Sequence, residues 1–331
     1  MDLLTQAILG ATTAQAVSRP HETRIAVITG ALAGLLPDAD ALIHSNTDPL
    51  LVLEYHRHFT HSLVFIPFGA AIIAAVVWQF SRNKTGFSRI YLYALLGIAL
   101  SGILDACTSY GTHLLWPFSD MRISWNLIAI IDPVFTLLLL LPLIVAYRRR
   151  QAIPARLALI LAASYMMFAI IQHERATAVA EGVITSRGHA ADRLLVKPTM
   201  ANLLLWRSVY ITNGTIHADA IRVGLFAGQR IYEGESVPLF IPETLSSIPP
   251  DSRAAQDLKR FAILSDGWLA PDPTRPGLIG DARYAMLPNS TIPLWGILLD
   301  HNTVDQPLEF TTNRVANKEI QQNFLNMLIG K

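Results

Sequence analysis

The sequence predicts an all-α polytopic membrane domain followed by a soluble α+β domain, and three observations carry that expectation. Of the 331 residues, 52% are hydrophobic and only 15% charged, whereas an average soluble domain carries about 25% charged residues. Long apolar runs crowd the first half of the chain. After Gln172 they give way to short segments separated by turn residues. The expected boundary separates a helical transmembrane domain, residues 1–172, from an extramembrane domain, residues 173–331.

A helical span needs about 20 mostly apolar residues. Residues 62–80 meet this without a charge, and residues 127–147 do so apart from Asp132. Residues 90–104 and 157–172 are shorter but clearly apolar, which gives four helical spans. Residues 3–17 and 25–36 raise the count to six if they also cross. Their Ala, Gly and Thr content suits helices packed closely on other helices. No removable signal peptide is expected, since the start lacks the charged, apolar and cleavage regions of one.

Basic loops set the expected orientation. Arg82, Lys84 and Arg89 fall between two spans, and Arg148, Arg149, Arg150 and Arg156 fall between the next two. Excess Lys and Arg marks cytoplasmic loops, and Arg19 with Arg24 fits the same side. Residues 37–61, residues 105–125 and the chain after Gln172 then share the outer face, so the second domain is expected to be extracytoplasmic.

In that domain, residues 173–188 read as a helix and residues 194–197, 208–212 and 220–226 as strands, with TNGT at 212–215 supplying hairpin chemistry. Residues 251–265 read as a second helix, because Ala254, Leu258 and Ile263 recur near helical spacing. Strands are expected at 282–287, 294–299 and 308–312, and a last helix at 317–329.

Charge and cysteine content narrow the chemistry. A net charge of +1 gives no reason to expect nucleic acid. One cysteine, Cys107, excludes an intramolecular disulfide and a multi-cysteine zinc site. Any metal site must use His, Asp and Glu.

Four polar groups stand out. In LLPDADALIH, Pro37 biases Leu36 away from helix; Asp38 and Asp40, two apart, share one side of an extended segment and aim at one point there. In EYHRHFTHS, a helix would pair His58 with His61, whereas a loop leaves His56 with His61 equally open. In SGILDACTSYGTHLLWPFSD, Asp105 closes an apolar helix, where a carboxylate is costly unless used. His113 is a further imidazole there, and Asp132 is either a functional group or the cap of a helix break. In IGDARYA, Asp281 and Arg283 read first as an ordinary ion pair; the alternative is that Arg283 or Arg207 reaches an anionic substrate.

In chain order, MDLLTQAILGA, GLLPDAD, HRHFTHS, LDACTSYGTHLLWPFSD and IDPVFT resemble the YdjM-like membrane-bound metal-dependent hydrolases. The resemblance covers residues 1–136 strongly, and KPTMANLLLWR with GDARY extends it to longer members that carry a C-terminal domain. It implies an inner-membrane protein with a divalent metal ion, zinc, held by Asp and His. By position it assigns Asp38, Asp40, His56, His61 and Asp105 as ligands and keeps His58 and His113 in reserve. Gln6 stands where many short members have His, and Ser101 where the family tends to place His.

The expected function is metal-assisted hydrolysis of a phosphoester, such as a lipid headgroup, at the outer face. Asp38, Asp40 and Asp105 supply ligands, with any carboxylate that is not a ligand acting as general base. Arg57 is expected to neutralise a phosphate oxygen and residues 116–118 to seat acyl chains. The rival expectation is a non-enzymatic membrane sensor or scaffold with a structural metal site. The bilayer is a partner in both.

Overall fold

Glycine lets three helices near the chain start touch backbone to backbone. A Cβ built on Gly10 would fall 2.2 Å from the Gly30 carbonyl oxygen, and one on Gly97 would fall 2.7 Å from the same oxygen. Gly30 and Gly34, four apart, lie on one face of their helix, and a Cβ on Gly34 would meet the Gln6 carbonyl at 2.4 Å. This is the close packing that small residues permit between membrane helices.

The computed structural model describes residues 1–81, 85–244, 248–300, 304–314 and 317–331. Arg82 and Lys84, two of the cations used for orientation, lie outside the described residues. Two units divide the chain. The first comprises Met1–Ile43, Tyr55–Ile171 and Met200–Asn202; the second comprises His44–Glu54, Gln172–Thr199 and Leu203–Lys331.

The helices in chain order are α1 (Leu3–Gln15), α2 (Thr23–Leu35), the short α3 (Leu51–Tyr55), α4 (Phe65–Ser81), α5 (Phe87–Ala99), α6 (Ser101–Ala106), α7 (Pro133–Arg149) and α8 (Ile153–Ser186). Asp2 caps α1, accepting from Thr5 N at 3.0 Å. Asp132 caps α7 by accepting from Phe135 N at 3.0 Å, and its other oxygen takes the Tyr165 hydroxyl at 2.8 Å. Asp132 is therefore a satisfied cap, with Pro133 at the first helical position where its missing N–H costs nothing.

Among the described residues, Phe87–Ala106 and Ile153–Ser186 are long and apolar enough to cross a membrane. Leu51–His61 with Phe65–Ser81, bent by 85°, makes a third if a bent pair counts as one span. The four to six spans expected are not confirmed. The helix expected over 127–147 starts only at its Asp132 cap and runs 17 residues, while α1 and α2 have 13 each.

In the second unit, α8 continues unbroken through the helix expected at 173–188. Strands β1 (Arg193–Pro198), β2 (Leu205–Thr212), β3 (Thr215–Val223), β4 (Gln229–Tyr232) and β5 (Ser236–Pro238) form an antiparallel sheet in the order β1-β2-β3-β4, with β5 also on β3. Asn213 and Gly214 both take positive φ, 47° and 69°, and turn β2 into β3 with Thr212 opposite Thr215. That is the two-residue hairpin TNGT promised. The turn sets the start of β3 at Thr215, so the strand expected at 220–226 is displaced and its last residues form the next turn.

A four-stranded antiparallel sheet follows, β6 (Leu269–Pro271), β7 (Leu278–Asp281), β8 (Trp295–Leu298) and β9 (Glu309–Thr312), in chain order, with α9 (Arg253–Leu264) before it and α10 (Lys318–Ile329) after. The strand expected at 282–287 is irregular; the pairing segment is β7, immediately before it. Leu50 from the His44–Glu54 segment is fully buried with Leu258, Phe261, Ile279 and Ile297. Arg260 of α9 fixes that segment through Asp48 and Glu54 at 2.9 and 2.6 Å.

Candidate functional site

Every residue of the site belongs to the first unit, and short irregular elements carry most of them. Pro37–Leu42 is a 3₁₀ turn at the end of α2, not the extended segment expected. It places Asp38 and Asp40 on opposite nitrogens of one imidazole. His61 Nε2 lies 3.6 Å from Asp38 Oδ1, and His61 Nδ1 lies 3.2 Å from Asp40 Oδ2.

Asp105, near the end of α6, completes the group: its Oδ2 lies 3.1 Å from His61 Nε2. Gly102, one turn earlier, makes this approach possible, since a Cβ there would fall 2.3 Å from the His61 carbonyl oxygen. Ligand-type atoms of Asp38, His61 and Asp105 all lie within 4.8 Å of one another. His61 Nε2 and Asp38 Oδ2 are buried without a hydrogen-bond partner. The 3.1 Å approach of Nε2 to Asp105 thus lacks hydrogen-bond alignment.

Two atoms each about 2.0–2.1 Å from a tetrahedral zinc ion sit about 3.3 Å apart. Separations of 3.1 and 3.6 Å around His61 Nε2 match that spacing, and the orphaned nitrogen and oxygen are the donors such an ion uses. The residues present fit a divalent metal ion held by Asp38, His61 and Asp105.

Asp40 and His56 lie outside this three-residue group. Asp40 accepts from Arg57 N at 2.7 Å, from Thr60 Oγ1 at 3.0 Å, and shares His56 Nδ1 at 3.0 Å. Burial opposes ionisation of Asp40, but the hydrogen bonds of His56 and His61 outweigh it and hold the carboxyl well below the usual carboxylate range. A carboxylate behind the distal nitrogen of a metal-binding imidazole fixes its tautomer and orientation. Asp40 occupies that position.

Arg57 is the hub of the site. Its backbone adopts φ 62°, in the left-handed region, which turns the chain so that His56 and His58 face different ways. The side chain is 2% exposed. It reaches Asp105 Oδ1 at 3.1 Å and Thr108 Oγ1 at 2.6 Å, while its carbonyl accepts from His113 N at 3.0 Å. The Met1 amine contacts the same Asp105 oxygen. Both terminal nitrogens of the guanidinium are therefore engaged within the protein, while its Nε is buried without a hydrogen-bond partner.

His58 and His113 form a separate pair, ring centroids 4.6 Å apart, next to Trp116. Burial, then Arg122 and His58, push the His113 imidazole down to about 4, so it is neutral at physiological pH. The surrounding loop presents Phe118 to the outside.

Gln6 was not among the expected site residues, yet it enters the site. Its Nε2 donates to Asp105 Oδ2 at 2.8 Å, and its Oε1 is buried without a partner. The signal was present, since Gln6 stands where the family resemblance places His. Ser101, the other departing position, donates to the Gly34 carbonyl at 3.3 Å. In the second unit Arg283 pairs with Asp281 at 2.7 Å, and Arg207 donates to the carbonyls of Ala282, Pro288 and Ser290 at 2.8 Å. Arg283 thus pairs within its own turn, and Arg207 of β2 holds the 282–290 segment through its terminal nitrogens.

The chain is 31% identical over 113 residues to the uncharacterized protein YfhP of Bacillus subtilis, a match covering 34% of this chain and 33% of that protein. It is 30% identical over 110 residues to the inner membrane protein YbcI of Escherichia coli, covering 31% of this chain and 61% of that one. The matched stretch thus spans less than two thirds of either relative. No solved structure matches. The family profile described as YdjM inner membrane protein matches residues 1–176, the stretch that contains Asp38, His61 and Asp105 together with their supporting Asp40 and Arg57. On that match the chain belongs to the YdjM inner membrane protein family.

Proposed function

We propose that this chain is a membrane-bound, metal-dependent hydrolase acting on a phosphoester, soluble or lipid-linked, at the outer face of the inner membrane. The observation that carries the reading is the convergence of Asp38, His61 and Asp105, with His61 Nε2 and Asp38 Oδ2 buried and unpartnered. When bound, a divalent ion such as zinc supplies Lewis acidity toward a phosphoryl oxygen and lowers the pKa of water. Asp40 orients His61, and Arg57 holds Asp105 in place against it. Asp38, the most exposed of the three carboxylates, would complete the ligand set with His61 and Asp105. The exposed Phe118 loop offers an apolar surface beside His113 for acyl chains.

Metal analysis of the purified full chain, with a phosphoester panel, tests the reading. Stoichiometric zinc that is lost with turnover in His61→Ala supports it; a wild type without metal sinks it. A structural metal site in a sensor or scaffold is favoured by one observation: the side chains of His61 and Asp105 are fully buried and that of Asp38 nearly so. In that case metal is bound, no phosphoester turns over, and His61→Ala lowers thermal stability instead.

A further inference from the structure

The turn between β3 and β4 holds the most exposed aromatic side chain among the described residues of the second unit. Phe226 is 93% exposed and its neighbour Leu225 54%. Neither belongs to the metal site. Two adjacent large apolar residues turned to water are costly unless something covers them.

The turn is tied to α8 at a defined height. Gln172 Nε2 donates to the Gly224 carbonyl at 3.4 Å, and Arg175 Nη1 donates to the Gly224 and Leu225 carbonyls at 2.7 and 3.3 Å. Gln172 follows Ile171 in the chain, and Ile171 ends the apolar run of α8, whose Ile160, Met167, Ile170 and Ile171 are turned outward. Each helical residue advances about 1.5 Å. The carbonyls of Gly224 and Leu225 are therefore pinned within about one helical turn of Ile171, where the apolar run of α8 ends. The turn itself is closed by the Gly224 N–H donating to the Gly228 carbonyl at 2.9 Å, with Gly228 at φ 83°.

Charge agrees with that height. Arg175 stands at the base of the turn, and Arg222 and Arg230 face each other across the strands that lead into it. Residues 220–232 contain no Asp or Glu. Exposed Phe and Leu with flanking Arg are the composition of segments that settle at the boundary between acyl chains and anionic headgroups.

We propose that the 224–229 turn is a membrane anchor: Leu225 and Phe226 insert at the lipid interface of the leaflet where α8 emerges. The partner is the phospholipid surface, continuous with the lipid that surrounds the apolar run of α8. The anchor ties the sheet of the second unit to the bilayer at a second point besides α8.

A spin label tests this in the full chain, reconstituted in vesicles of phosphatidylcholine and phosphatidylglycerol. In a Cys107→Ala background, a nitroxide is attached at Phe226→Cys or, for comparison, at Ile263→Cys on α9, where the native residue is 77% exposed. Position 226 is expected to collide with oxygen several-fold more than with a water-soluble nickel chelate, relative to position 263. Equal accessibility at the two positions overturns the proposal. So does a label at 226 that neither reagent reaches, which marks burial against protein. Because Phe226 packs against little in the native fold, its replacement is expected to leave folding intact. Unchanged thermal unfolding of the labelled protein verifies this.

Discussion

Asp40 sets its Oδ2 3.2 Å from Nδ1 of His61, on the side of the ring away from Asp105. The carboxylate also takes the Arg57 backbone N–H and the Thr60 hydroxyl, so it cannot turn toward Nε2 without abandoning both. Its position is that of a group that orients His61 through Nδ1.

Asp40→Asn is therefore expected to weaken metal binding while retaining stoichiometry. Loss of such a supporting carboxylate costs about 10–100-fold in affinity. Asp105→Asn, which alters the group facing Nε2, is expected to lose bound metal at purification. Competition with a chromophoric chelator measures both. Equal losses in the two variants would mean that Asp40 coordinates directly.

Arg57 separates a structural from a substrate-binding role. The Arg57–Asp105 pair is almost completely buried, and removing one partner of such a pair costs about 3–5 kcal/mol. Arg57→Ala is expected to lower the thermal unfolding midpoint in detergent markedly, with metal absent or present. A guanidinium serving only an incoming phosphate would leave that midpoint unchanged and raise KM alone.

Much of this site was legible in the sequence, and the rest was hidden for physical reasons. Asp38, His61 and Asp105 lie in separate motifs whose chemistry is unusual near apolar runs, so composition exposed them. The sorting of Asp40 and His56 from the three-residue group was not legible, because it depends on the left-handed backbone at Arg57 and on a 3₁₀ turn at Pro37. Spacing arguments assume regular helix or strand and fail at both places. The span count is left unconfirmed for a different reason: apolar composition runs through 127–131, but Asp132 and Pro133 fix the helix start after it. In the second unit the Asn213–Gly214 turn was readable, whereas β4, β5 and β6 are too short to show periodicity.

Glycine substitutions separate packing from flexibility. Gly10→Ala and Gly30→Ala each place a methyl 2.2 Å from a carbonyl oxygen of the partner helix, so both are expected to destabilise by about 1–3 kcal/mol. Gly102→Ala forces the His61 carbonyl away from α6 and should also lower metal affinity. Gly182, inside α8, is the control, because a methyl added there would meet nothing within 4 Å. Gly182→Ala is expected to stabilise by about 0.5–1 kcal/mol through helix propensity. Thermal unfolding and metal titration of the four variants distinguish the two effects.

Lys197 gives the second unit its own pH dependence. It sits on β1 opposite Arg207 of β2, with the Tyr284 ring 3.5 Å from its Nζ. Burial, then the guanidinium of Arg207, push its amine well below the ordinary 10.5, and Arg283 adds to this while Asp281 opposes it. The ring face favours the ammonium but does not offset the loss of water. From the lowered native value up to 10.5, the unfolded chain holds more protons on this residue than the folded chain does. Stability contributed by Lys197 therefore rises with pH across that window and is lowest below it, where the charged amine must be buried. Lys197→Met is expected to stabilise the fold at neutral pH by on the order of 1 kcal/mol and to flatten the rise toward alkaline pH. Thermal unfolding of both proteins from neutral to about pH 10 tests this through their difference, which removes groups common to both. A gap that stays constant over the series would assign Lys197 a pairing role with no proton linkage.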